Sequence, residues 1–170
     1  KGIIMIILGI DPGYAIVGFG VIEKSRNQTT VIDYGVIETD KSLKMSTRLN
    51  KIYDGIEYLI KKYKPDCFAM EELFYHTNQK TVINVAMARG VILLSAVKNL
   101  GEEKLFEYTP LQIKQALTGN GRAEKQQIQY MVKAILNLSK VPKPDDAADA
   151  LAVALCHSQT NTFLSNTQIK

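Results

Sequence analysis

The chain is 170 residues long, 46% hydrophobic and 22% charged, which suits one globular domain with a sizeable core and excludes a disordered or collagen-like chain. Its net charge of +4 and sequence pI near 9.0 suit an anionic partner. Cys67 and Cys156 lie in apolar contexts without the spacing of a zinc site or disulfide framework, so a reducing cytoplasm is expected. One domain is expected over 5–159, followed by a polar C-terminal tail over 160–170. The apolar run Ile3 to Ile10 is too short to span a bilayer.

The stretch Ile6-Ile7-Leu8-Gly9-Ile10-Asp11-Pro12-Gly13 reads as a strand buried on both faces, closed by a sharp turn. A carboxylate at the tip of such a strand must be compensated by a hydrogen bond, a cation or a metal ion. Asp11 is thus either a turn-capping residue or a metal ligand, and the second role requires partners elsewhere. Tyr14 to Glu23 is a second strand, in which Gly18 and Gly20 allow something to approach its backbone closely. Thr30 to Thr39 alternates as a third, and the short connections favour an antiparallel meander.

Apolar residues at Leu49, Ile52, Tyr53, Ile56, Leu59, Ile60 and Tyr63 predict an amphipathic helix over Thr47 to Tyr63, ended by Pro65. Asp66 to Glu71 is a short strand that again finishes in acid, Glu71-Glu72. Strand, helix and strand form a crossover, so this strand is expected parallel to the first. Leu73 to Thr81 reads as a loop, with Phe74 just past the acidic strand end. Val82 to Leu100 predicts a helix apolar on nearly every side, whose surfaces the sheet and a second subunit would cover.

Lys104 to Tyr108 predicts a fifth strand. Thr109-Pro110 is a favourable start for a short helix carrying Lys114. Arg122 to Leu138 predicts another helix, with Arg122 and Lys125 in its first turn, where cations oppose the helix dipole and favour a nearby anion. The last helix opens at Pro144-Asp145-Asp146, where the aspartates can act as caps. Asp149 sits past the first turn in an Ala/Leu/Val-rich stretch, where an aspartate is costly. Asp146 and Asp149 are three apart and share a face, with Cβ atoms about 5–6 Å apart, which favours a cation between them.

Acids therefore stand at the ends of two strands and on one helix face. Hard oxygen ligands without a His or Cys cluster suit Mg²⁺ or Mn²⁺. Two such ions can activate a water and stabilise the leaving oxygen of a phosphodiester.

With these residues in view, the chain from Ile6 to His157 resembles the RuvC-type Holliday-junction resolvases of bacteria. The resemblance is carried by L-G-I-D-P-G at Leu8 to Gly13, F-A-M-E at Phe68 to Glu71 with Phe74, A-R-G-V at Ala88 to Val91, A-E-K at Ala123 to Lys125, and D-A-A-D-A-L-A at Asp146 to Ala152. It implies an α/β, ribonuclease H-like fold: a five-stranded mixed sheet, its first three strands antiparallel, with helices on both faces. It also implies a homodimer that makes paired nicks in four-way DNA with Mg²⁺, two ions per site, and that works beside branch-migration proteins. Asp11, Glu71, Asp146 and Asp149 would bind metal and carry catalysis. Phe74 would engage an exposed base, and Lys114 and Lys125 would lie beside the scissile strand. Two other readings stand beside this one: an actin-like phosphate-binding ATPase fragment, and a non-catalytic nucleic-acid-binding module of the same fold.

Overall fold

The computed structural model describes residues 4–73, 79–160 and 169. Strands β1 (Met5–Asp11), β2 (Ile16–Lys24) and β3 (Thr29–Glu38) form the antiparallel meander. Helix α1 (Met45–Tyr63) crosses over to β4 (Cys67–Glu71), which runs parallel to β1. Helix α2 (Gln79–Leu100) leads to β5 (Leu105–Tyr108), parallel to β4, and the sheet order is β3-β2-β1-β4-β5. Helices α3 (Pro110–Thr118), α4 (Lys125–Ile135) and α5 (Asp145–Gln159) complete the fold.

Strand alternation divides the core into two layers. Ile7, Ala69 and Phe106 face one way and pack with Leu151 and Leu155 of α5. Leu8, Ile10, Phe68 and Met70 face the other way and pack with Ile52 and Ile56 of α1 and Ile92 of α2. Each fully buried Leu or Ile contributes about 1.5–3 kcal/mol relative to exposure.

Central helix α5 lies unusually close to the sheet because the residues between them are small. Ala147, Ala148, Ala150, Ala152 and Ala154 are buried. A Cβ at Gly9 would stand 2.3 Å from the Ala150 carbonyl oxygen, and one at Gly18 would stand 2.0 Å from that of Asp146. Only glycine leaves room for that helix at both places. The bare backbones of β1 and β2 thus decide how deeply the start of α5 is set.

Several boundaries differ from expectation for local reasons. Helix α2 starts three residues before Val82. Helix α4 starts at Lys125 because the Glu124 N–H donates to the Gln127 side chain at 2.8 Å, an N-terminal capping contact. Arg122 therefore lies before the helix, its N–H donating to Asn120 Oδ1 at 3.0 Å. Asn137, in the left-handed region at φ 50, ends the helical run before Leu138. Thr109 caps α3 as Thr-Pro at that helix start predicts, and Gln112 adds the reciprocal bond of a capping box. Of the expected tail, Ile169 returns to the sheet edge, its N–H donating to the Leu105 carbonyl at 3.2 Å.

The apolar excess of α2 is resolved by position. Ala88, Ile92 and Ala96 are fully buried, whereas Ile83 and Leu94 are 59% and 51% exposed. Although Val82–Leu100 is long and apolar enough to cross a membrane by composition alone, its Ser95 hydroxyl donates to the Tyr53 carbonyl of α1. This helix is part of the core, with one apolar side left uncovered by the described residues.

Candidate active site at the ends of two parallel strands

The β1–β4 ladder runs to the pair Ile10 and Met70. Asp11 and Glu71 are the next residues, and strand alternation turns both toward α5. On the other side of β1, Asp11 pairs with Gly18, where the Asp146 backbone rests. One turn further along α5, Asp149 is only partly exposed in an otherwise buried run. A tight helix–sheet contact thus brings helix acids to strand acids.

Their electrostatics record this proximity. Burial pushes the Asp11 carboxyl up to about 8, and the charges of Glu71, Asp149 and Asp146 push in the same direction. Glu71 rises to about 7 through burial and then Asp149, opposed by Lys125 and Lys114. Asp149 is also raised, burial being the main cause, while its hydrogen bond with Lys125 works against the rise. Lys125 Nζ donates to Asp149 Oδ2 at 2.8 Å and stands 3.6 Å from Asp145 Oδ2. Burial disfavours the Lys125 charge, but these aspartates outweigh it and hold its pKa above the usual lysine value.

A cleft of about 180 Å³ is lined by two of these acids, Glu71 and Asp149, together with Lys114, Lys125, Ile113 and Ile128; Asp11 and Asp146 are not among its lining residues. Neither of the neighbouring acids Glu72 and Asp145 lines this cleft, although Asp145 reaches its edge through Lys125. Glu72 is exposed, and Asp145, 43% exposed, is bonded at 2.6 Å to Lys143. Phe74 lies outside the described residues. Arg89 of α2, which lies in the A-R-G-V stretch without an expected role, donates from its guanidinium to the Glu71 carbonyl at 3.0 Å. The available signal was a lone charge in the apolar run Val82 to Val97.

The family model for crossover junction endodeoxyribonuclease RuvC matches residues 7–157. The chain belongs to the RuvC family. A RuvC from Alkaliphilus oremlandii is 54% identical over 98% of this chain and 100% of its own length. The Thermus thermophilus RuvC structure superposes with a TM-score of 0.87 at 30% identity, covering 97% of this chain and 100% of that one. T. thermophilus RuvC in complex with Holliday junction substrate gives 0.84 at 32% identity, covering 91% and 93%. The ribonuclease H-like reading of the sheet therefore holds, and membership of an endodeoxyribonuclease family excludes the ATPase alternative.

RuvC enzymes are metal-dependent nucleases, and the donor set here suits a hard divalent cation. Its acids are oxygen donors on rigid elements, they repel one another, and burial raises the cost of their charge. Among the described residues, no three acids already stand as a closed ligand group. Lys125 engages Asp149 instead. A cation binding Asp149 would compete with that ammonium.

Proposed function

We propose that this protein resolves four-way DNA junctions by paired symmetric nicks, with Asp11, Glu71, Asp146 and Asp149 holding Mg²⁺, two ions per site, during phosphodiester hydrolysis. The observation that carries this reading is the placement of these acids: Asp11 and Glu71 follow the last paired residues of neighbouring strands, the Asp146 backbone rests on Gly18 beside Asp11, and Asp149 lines one cleft with Glu71. Such a cluster is costly without a cation and favourable with one. Bound ions would activate the attacking water and stabilise the leaving oxygen. Mn²⁺ is expected to substitute. Calcium, with looser coordination, should bind but support cleavage poorly.

Lys114 and Lys125 line the cleft from α3 and α4, where they would hold the scissile strand by its phosphates. Phosphate contacts give affinity and salt dependence rather than choice of substrate. Choice is assigned to shape, with two sites a fixed distance apart and a crossover whose bases unstack at low cost. Phe74 is assigned to stacking on such a base, worth about 1–3 kcal/mol by alanine substitution. Paired nicks require two sites related by a two-fold axis, hence a homodimer. Its interface is assigned to the uncovered side of α2 that bears Ile83 and Leu94. Branch-migration proteins as partners and a cytoplasmic location complete the reading.

Cleavage of a four-way junction, a linear duplex and an RNA–DNA hybrid, each with and without Mg²⁺, tests it. The expected result is two symmetric nicks in the junction alone, dependent on Mg²⁺. Equal cutting of duplex or hybrid would contradict junction selectivity, and junction binding without nicking would point to the non-catalytic module.

A further inference from the structure

The Glu71 carboxyl group faces α5, yet its backbone is held from the opposite side of the sheet. Arg89 Nη1 donates to the Glu71 carbonyl at 3.0 Å, and Nη2 donates to Glu107 Oε2 at 2.5 Å. Glu107 pairs with Met70 in the β4–β5 ladder, and the Glu72 N–H donates to the Tyr108 carbonyl at 2.9 Å. The last residues of β4 are thus tied both to β5 and to α2.

Arg89 is the one charged residue between Val82 and Val97, and its side chain is only 15% exposed. Burying a guanidinium there is costly unless its donors are matched. Two of them are matched by groups a fixed distance apart, a geometry suited to the planar fork of arginine and not to the single ammonium of lysine. A packing role alone would be met by an apolar residue in an otherwise apolar run.

We propose that Arg89, oriented by Glu107, is a positioning residue that sets the backbone of Glu71 and so aims its carboxylate at the metal site. This inference rests on the reading of Glu71 as a metal ligand. Groups that orient a metal ligand typically change metal affinity or activity by about 10–100-fold when altered. A salt bridge that merely joins α2 to β5 would change stability and leave metal affinity alone.

The test is Mn²⁺ titration of the full-length protein by electron paramagnetic resonance, alongside melting in EDTA and single-turnover junction cleavage. Arg89→Lys is expected to weaken Mn²⁺ binding and slow cleavage, each by about 10-fold or more, with junction affinity in EDTA within about twofold of wild type. Glu107→Gln, which leaves the guanidinium in place beside a neutral partner, is expected to shift Mn²⁺ affinity in the same direction and carries the test if Arg89→Lys does not fold. Glu71→Gln is the reference. If it weakens Mn²⁺ binding while both folded clamp variants bind as wild type does, the clamp is refuted. If Glu71→Gln itself leaves Mn²⁺ affinity unchanged, the reading of Glu71 fails and the inference with it.

Discussion

Lys125 Nζ lies 2.8 Å from Asp149 Oδ2, so the acid cluster holds an internal cation within hydrogen-bond reach. That ammonium offsets part of the repulsion that a divalent ion would relieve more fully. Lys125→Met should therefore melt lower in EDTA and gain more from Mg²⁺ than the wild type does. The Lys125 side chain is 54% exposed, so the pair is worth no more than about 1 kcal/mol after solvent screening. That corresponds to about 2–4 °C for a domain of this size. Thermal melts with and without Mg²⁺ measure both quantities. An unchanged Mg²⁺ response would mean that the lysine and the ion do not compete.

Gly18 is the floor beneath Asp146. Gly18→Ala places a Cβ 2.0 Å from the Asp146 carbonyl oxygen, so the first turn of α5 must lift. We expect a stability loss of about 1–3 kcal/mol, as overpacking typically gives, and a larger proportional loss of cleavage. A Gly18→Ala protein with wild-type melting and cleavage would refute the close-contact explanation of the site.

The pH dependence of the metal-free protein follows from Asp11. Its pKa rises from 3.8 to about 8 on folding, so the folded state retains a proton that the unfolded chain has released. The associated stability is full below pH 4 and is lost as pH rises through 8. Glu71, raised to about 7, adds a loss of the same sign over a lower range. His157 acts oppositely, since burial lowers it to about 4 and its contribution is lost only as pH falls below 6.5. Between pH 6.5 and 8.5 in EDTA, melting temperature should therefore decrease, and Mg²⁺ or Asp11→Asn should flatten the decrease. A rising or flat wild-type curve in EDTA would contradict the cluster electrostatics.

The parts of this arrangement legible in the sequence are those with local signals. Alternation in β1 and β4 placed Asp11 and Glu71 on matching strand ends, and the i to i+3 spacing put Asp146 and Asp149 on one helix face. The Gly18 backbone marked a close approach before its partner, the Asp146 carbonyl, was known. The start of α4 was misplaced because Lys125 follows a glutamate cap, a weaker signal than Ser, Thr, Asp or Asn. Arg89 stayed hidden for a different reason. One of its partners is a main-chain carbonyl on another strand, and no side-chain pattern announces a backbone acceptor.

The uncovered side of α2 yields a contrast between neighbours. Leu94 is 51% exposed, whereas Val91 packs against the buried cluster beneath the helix. Leu94→Asp should fold and run as a monomer in light scattering after size exclusion. Val91→Asp should melt far lower or fail to fold, because an unpaired carboxylate in that layer is costly. A Leu94→Asp protein that remains dimeric would place the interface elsewhere.

The central claim is that the acids at the ends of β1 and β4 and on α5 act together on the phosphodiester. Single-turnover cleavage of a four-way junction by Asp149→Asn, with junction binding measured on the same preparation, tests it most directly. Losing one ligand of a metal site that provides several kcal/mol of transition-state stabilisation should slow cleavage by about a thousandfold or more. Binding should persist, because phosphate docking uses other groups. An Asp149→Asn protein that cuts the junction at the wild-type rate would contradict the account.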